Sequence, residues 1–181
     1  MDRPVELVPL VCLRCSTPIP AGIDEVAWVC SQCGQGLILD ETNALQPLEV
    51  HYAAGIPQNT PGKPYWMAEG QVNALQRETY DSGRKGGQEA EQYWSQPRRF
   101  FVPAFSATLE ALLEEATRLL LQPPELQPGT AVQFEPVTLS VADVQSAAEF
   151  IVMAIEAGRK DKVKKVNFSL KLSAPVLWIL P

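Results

Sequence analysis

Four cysteines in two pairs are the residues of this chain whose types and spacing permit chemistry. They read Cys12-Leu13-Arg14-Cys15, then fourteen residues, then Cys30-Ser31-Gln32-Cys33-Gly34. A two-residue gap in a tight turn lets both thiolates of a pair converge on one ion, and two such turns supply the four ligands of a closed tetrahedral shell. Gly34 strengthens the second pair, because a glycine just past the turn lets the backbone go left-handed and bring amides close to the sulfurs. Between the pairs, Pro18 and Pro20-Ala21-Gly22 predict a turn, and Val26-Ala27-Trp28-Val29 predicts a strand leading into the second pair. The expected order is knuckle, turn, strand, knuckle.

On these four cysteines, Gly34 and the intervening strand, residues 8–42 resemble the zinc-ribbon class with its rubredoxin-like knuckles. The resemblance implies a structural Zn²⁺ held by Cys12, Cys15, Cys30 and Cys33, and a small three-stranded ribbon. It implies no particular function, because ribbons serve both nucleic-acid and protein contacts. Other chemistries suit the same residues less well. Rubredoxin-like iron sites usually place a glycine after both pairs, and Ser16 follows the first pair here. A thioredoxin-like redox pair opens a helix in a βαβ setting, whereas the prolines and glycines here predict turns. Catalytic zinc keeps an open position with three protein ligands, and four matched cysteines close the shell. Disulfides are disfavoured in a reducing compartment.

Catalysis has little else to use. His51 is the single histidine and falls on the polar side of an alternating segment beside Glu49, where a solvated surface residue is the ordinary outcome. No G-x-S-x-G element accompanies it, and neither a G-x-x-x-x-G-K-[ST] phosphate loop nor a G-x-G-x-x-G fingerprint is present. Glu110, Glu114 and Glu115 read as the solvated side of a helix. The expectation is therefore a protein that is not an enzyme.

Charge bears on partners. The chain of 181 residues carries a net charge of −6. Residues 1–45 hold two arginines against six acids, 46–106 balance, and 107–181 hold seven basic residues against nine acids. Nucleic-acid affinity draws on phosphate neutralisation, so this distribution argues for protein partners and against nucleic acid. The local exception is 159–165, where Lys162, Lys164 and Lys165 form a basic run that would serve the alternative reading, a transcription-type nucleic-acid binder. A solvated turn complementing the dipole of the preceding helix is the favoured explanation of the run.

The elements that must position these groups follow from periodicity. A zinc ribbon over 1–45 and an α+β domain over 46–181 are expected, the latter with an antiparallel or mixed sheet and two helices. Leu48-Glu49-Val50-His51-Tyr52 alternates as one strand, and Lys63–Ala68 reads as another, with Gly70 at a bulge or a close backbone approach. Residues 81–97 have glycine and charge without apolar period and read as a long exposed loop; Tyr93 and Trp94 either fix it to the domain or offer a partner surface. Phe101 to Ser106 and Phe134 to Ser140 each precede a helical pattern, which predicts two βα units. Ser140 and Asp143 sit in capping-box positions, and Gly158 lies just past the second helix. Val166–Leu172 alternates cleanly, turning Asn167, Ser169 and Lys171 to water. The apolar end, Pro175–Pro181, is expected to dock on the sheet or on another subunit, which makes Trp178 a third candidate contact residue. Nothing near Met1 resembles a secretory signal, and the apolar run Val176–Leu180 is far short of the roughly 20 residues a spanning helix needs. A cytoplasmic protein without a membrane span is expected.

Overall fold

The short alternating runs on either side of the second cysteine pair form one small sheet. In the computed structural model, which describes residues 9–40, 44–80 and 84–181, β1 (Ala27–Val29), β2 (Gly36–Asp40) and β3 (Ala44–Leu48) are antiparallel in the order β1-β2-β3. Residues 1–8, 41–43 and 81–83, and with them both ends of the 8–42 segment and the start of the expected loop, lie outside the described residues. Trp28 stands opposite Leu37, and Ala27 opposite Ile38. Alternation then splits the faces. Trp28, Leu37 and Leu45 join Cys12, Ile19 and Cys30 in a small core, while Ala27 and Ile38 point the other way into the main core.

The second sheet contains β4 (Val50–Tyr52), β5 (Lys63–Thr79), β6 (Arg98–Pro103), β7 (Val163–Leu172) and β8 (Val176–Leu180). Its order is β4-β8-β5-β6, with β7 on the distal half of β5. Only β4 and β8 run parallel, so the sheet is mixed. The 17-residue β5 is the spine: β8 pairs with its first residues and β7 with its last, and the change of partner falls near Gly70. A side chain at Gly70 would run into the Phe100 ring, so this glycine marks a close approach, and the irregularity lies further on, between Asn73 and Gln76, where Ala74 has φ 51°. Trp66, Phe100, Val102, Leu177 and Ile179 form the main core beneath Val144, Ala148, Ile151 and Val152. The opposite sheet face buries Tyr65, Phe101 and Leu180 with Leu119.

The class is α+β, as the periodicity predicts, but with three α-helices among the described residues: α1 (Arg84–Trp94), α2 (Leu109–Leu121) and α3 (Val144–Ala157). α1 replaces most of the loop expected over 81–97. Its buried side is narrow, formed by Ala90 and Trp94 one turn apart, and the rest is polar, which is why no apolar period betrays it. The strand expected over 48–52 is two strands in different sheets, since Leu48 ends β3 and Val50 opens β4. Of the two βα units, β6–α2 is formed, whereas 134–140 contributes only single bridges, Gly62 to Phe134 and Ala27 to Val137. Thr108 caps α2 by accepting from the Ala111 amide. Ser140 caps a single 3-10 turn ahead of α3, and Asp143 makes no side-chain cap bond, so no capping box closes. Gly158 caps α3 from a helical conformation. β8 lies inside the sheet, between β4 and β5.

Candidate metal centre

The two knuckles are built alike. In each, the carbonyl of the first cysteine accepts from the amide four residues on, Ser16 to Cys12 at 2.9 Å and Gly34 to Cys30 at 2.8 Å. In each, the amide of that cysteine donates to the carbonyl five residues on, Thr17 at 2.8 Å and Gln35 at 2.9 Å. Both turns close through a left-handed residue, Ser16 with φ 58° and Gly34 with φ 73°. Serine thus takes the conformation that glycine takes at the second knuckle. The residue type at position 16 therefore does not separate zinc from iron, contrary to the inference drawn from sequence.

The turns bring Cys12, Cys15, Cys30 and Cys33 together with their sulfurs all within 4.8 Å of one another. Cys12 Sγ lies 3.5 Å from Cys33 Sγ, and Cys15 Sγ 3.6 Å from Cys30 Sγ, so sulfurs of different knuckles come into direct contact. A tetrahedron with metal–sulfur bonds of about 2.3 Å has edges of about 3.8 Å, and the observed spacing needs little adjustment to match it. These are free thiols that could hold one metal ion. Cys12 and Cys30 are buried, and Cys15 is exposed, so the shell opens to solvent on one side.

The surroundings favour the thiolate at Cys15 and Cys12 and oppose it at Cys33. The Thr17 hydroxyl, 3.2 Å from Cys15 Sγ, and the Thr17 amide bring the Cys15 thiol down to about 6. Burial resists ionisation of Cys12, but the amides of Cys15 and Arg14 and the Cys33 thiol outweigh it and hold Cys12 below its usual range. At Cys33 the Gln35 amide favours the thiolate, yet burial and the three other sulfurs push the thiol up to about 12. Four sulfurs this close cannot share several negative charges without a cation, and a divalent ion removes that conflict.

The other predicted site residues do not gather here. Trp94 is only 2% exposed, stacked near Phe100 at 6.5 Å and donating from Nε1 to Glu156 at 2.7 Å, so it is core and not a partner surface. Tyr93 is half-buried against Trp94, with the Arg98 guanidinium 3.9 Å over its ring. Trp178 is half-buried on the sheet face opposite the main core and stacks on His51 at 5.0 Å; His51 Nε2 in turn lies 3.3 Å from Glu49. Lys162, Lys164 and Lys165 are exposed at the start of β7, well apart from the cysteines in the chain, and Lys165 stands opposite Glu78 on β5. Glu115 reaches back to the sheet, accepting from the Tyr65 hydroxyl at 3.0 Å and from Arg118 at 2.7 Å.

Sequence reasoning missed a buried ionic cluster. Glu156, fully buried near the end of α3, accepts from Trp94 Nε1 and Arg159 Nε at 2.7 Å, and Arg77 Nε of β5 lies 2.6 Å from its other oxygen. Arg77 also grips Asp161 with two bonds of 2.8 and 2.9 Å. Two charged residues of the 159–165 run are thus spent inside the fold. No helix among the described residues is long and apolar enough to cross a membrane. No protein-family model, curated protein or solved structure matches this chain significantly.

Proposed function

We propose that this chain is a zinc-ribbon protein that catalyses no reaction itself and acts through protein contacts, as an assembly or accessory component in the cytoplasm. The observation that carries the reading is the four-cysteine cluster, closed by two matched knuckles and joined to the main core through Ala27 and Ile38. A Cys₄ shell leaves no coordination position for substrate, so zinc there supplies folding energy and a rigid surface. The surroundings of the remaining reactive groups fit the same reading. His51 is stacked and paired, and the Glu115 carboxylate is held by Tyr65 and Arg118.

The alternative, nucleic-acid binding, would use the exposed Lys162, Lys164 and Lys165. A paired experiment decides between them. Full-length protein purified from its native host is tested for co-purifying proteins, and separately for shifting duplex and single-stranded DNA and RNA. The proposal expects a stable protein complex and no shift at micromolar protein. A salt-sensitive shift abolished by Lys162→Glu, Lys164→Glu and Lys165→Glu together, with no co-purifying protein, would replace it by the alternative.

A further inference from the structure

A cleft runs along the seam between the small sheet and the main sheet. Two adjoining hollows of about 610 and 480 Å³ share Val29, Gly34, Tyr52 and Ala131 and so form one groove past the second knuckle. Its lining is apolar and aromatic, chiefly Trp28, Val29, Tyr52, Val132, Phe134 and Pro136. Tyr52 and Phe134 lie 6.3 Å apart, both half-buried. The backbone explains why the groove exists. β1 is the outer strand of its sheet, and it meets segment 131–137 at one bridge, Ala27 to Val137, backed by the Val26 amide donating to Val137 at 2.8 Å. Among the described residues, no further ladder pairing joins the two segments beyond that bridge. The far side of segment 131–137 is already committed, because Gln133 and Glu135 bond Gly62. What remains is an interrupted ladder with a strand edge on one wall and half-buried hydrophobic side chains between.

Among the described residues, the charged groups that line the groove are Glu25, Glu49 and Glu135 against Arg14. Glu25 is anchored there by the Trp28 indole at 2.8 Å and the Gly22 amide at 2.7 Å, so its charge is fixed at the rim. We infer that this groove receives an extended, basic segment of a protein partner, which continues the β1 edge as an added strand, seats alternate apolar side chains against Tyr52, Val132 and Phe134, and places lysine or arginine against the acidic rim. Strand addition of this kind takes affinity from main-chain bonds and specificity from the pockets for alternate side chains. Complementary charge sets the register and excludes acidic segments. The inference rests on the protein-contact reading and names the site and the chemistry of the partner. Because Cys30 and Gly34 form part of the wall, the groove exists in this shape only while the knuckle is folded.

The test uses the full chain loaded with zinc, presented to a phage library of random twelve-residue peptides. Enriched peptides should alternate β-branched or aromatic residues with polar ones and carry net positive charge. The best of them, synthesised, should bind about tenfold more weakly to the double variant Glu49→Lys, Glu135→Lys, and its affinity should fall with salt. Val132→Arg, which places a long cation in the groove, should abolish binding while leaving metal content and circular dichroism unchanged. No enrichment, enrichment of acidic peptides, or binding indifferent to both sets of substitutions would overturn the inference. So would a concentration-dependent dimer lost in Val132→Arg, which would assign the groove to a second copy. If host proteins co-purify equally with the wild type and with Val132→Arg, the protein-contact reading stands and the groove is not its site. If nothing co-purifies but basic peptides bind as described, the groove stands and the wider reading loses its support.

Discussion

Ser16 shows how far residue type can be trusted at this site. The cysteine spacing is a local signal, since a two-residue gap leaves a pair few ways to present both sulfurs, and the clustering of the four cysteines was legible for that reason. The left-handed φ at Ser16 was not legible, because serine ordinarily avoids that region and the turn imposes it. Each cysteine should prove necessary. Cys30→Ser removes a buried ligand, and since structural zinc contributes on the order of 10–16 kcal/mol of binding coupled to folding, the variant should lose both the metal and the dispersion of the ribbon's amide signals in NMR. A variant that keeps one metal per chain would show that three sulfurs suffice.

Glu156 makes a second prediction at the same scale. Replacing it by glutamine removes the carboxylate beside Arg77 Nε and Arg159 while Asp161 still pairs with Arg77, so the cost should fall below the ~3 kcal/mol of a buried pair broken outright and be readable as a lower urea midpoint. Its neighbour Asp161 sets a pH dependence. The two hydrogen bonds from Arg77, foremost, hold the Asp161 carboxyl below its ordinary value of 3.8 in the folded chain. The stabilisation from this carboxylate is therefore complete above 3.8 and is lost as pH falls through the lower folded value. Urea titrations below pH 4 should show that slope, and Asp161→Asn should remove it; an unchanged slope would contradict the pairing.

At the scale of elements, α1 is the chief disagreement between sequence and structure. Gly86, Ala90 and Trp94 are spaced four apart and form the face that meets the protein, a pattern of small, small, large that an apolar count overlooks. Glycine at 86 is there for closeness: a side chain would run into Asp161, which Arg77 holds in place. Gly86→Ala, which on helix propensity alone would stabilise by about 1 kcal/mol, should instead destabilise by roughly 1–3 kcal/mol in thermal or urea unfolding. A gain in stability would mean that α1 does not approach Asp161. Limited proteolysis, which a free loop over 81–97 would invite, should spare the bonds of α1 between Gln88 and Trp94. β7, by contrast, was readable over 166–172, because clean alternation leaves a strand only one way to face a core, whereas the apolar run that forms β8 announced burial but not a strand.

For the whole molecule, composition and period pointed to the α+β class with an N-terminal cysteine cluster and an antiparallel or mixed sheet, but not to how the small sheet and the main sheet meet. That junction depends on Ala27 and Ile38, which read as ordinary strand residues and whose burial against Val137 is a long-range fact. It has an energetic consequence. Losing the ribbon withdraws these side chains from the main core, and deletions of this size cost roughly 2–5 kcal/mol, so chelation should lower the unfolding midpoint of residues 46–181 without abolishing their cooperative transition. The central claim, that four cysteines hold one structural zinc, is tested most directly by elemental analysis of the purified full-length protein alongside Cys30→Ser. The account predicts one zinc per chain in the wild type and none in the variant. Iron in its place, a metal-free folded chain, or zinc retained by Cys30→Ser would contradict it.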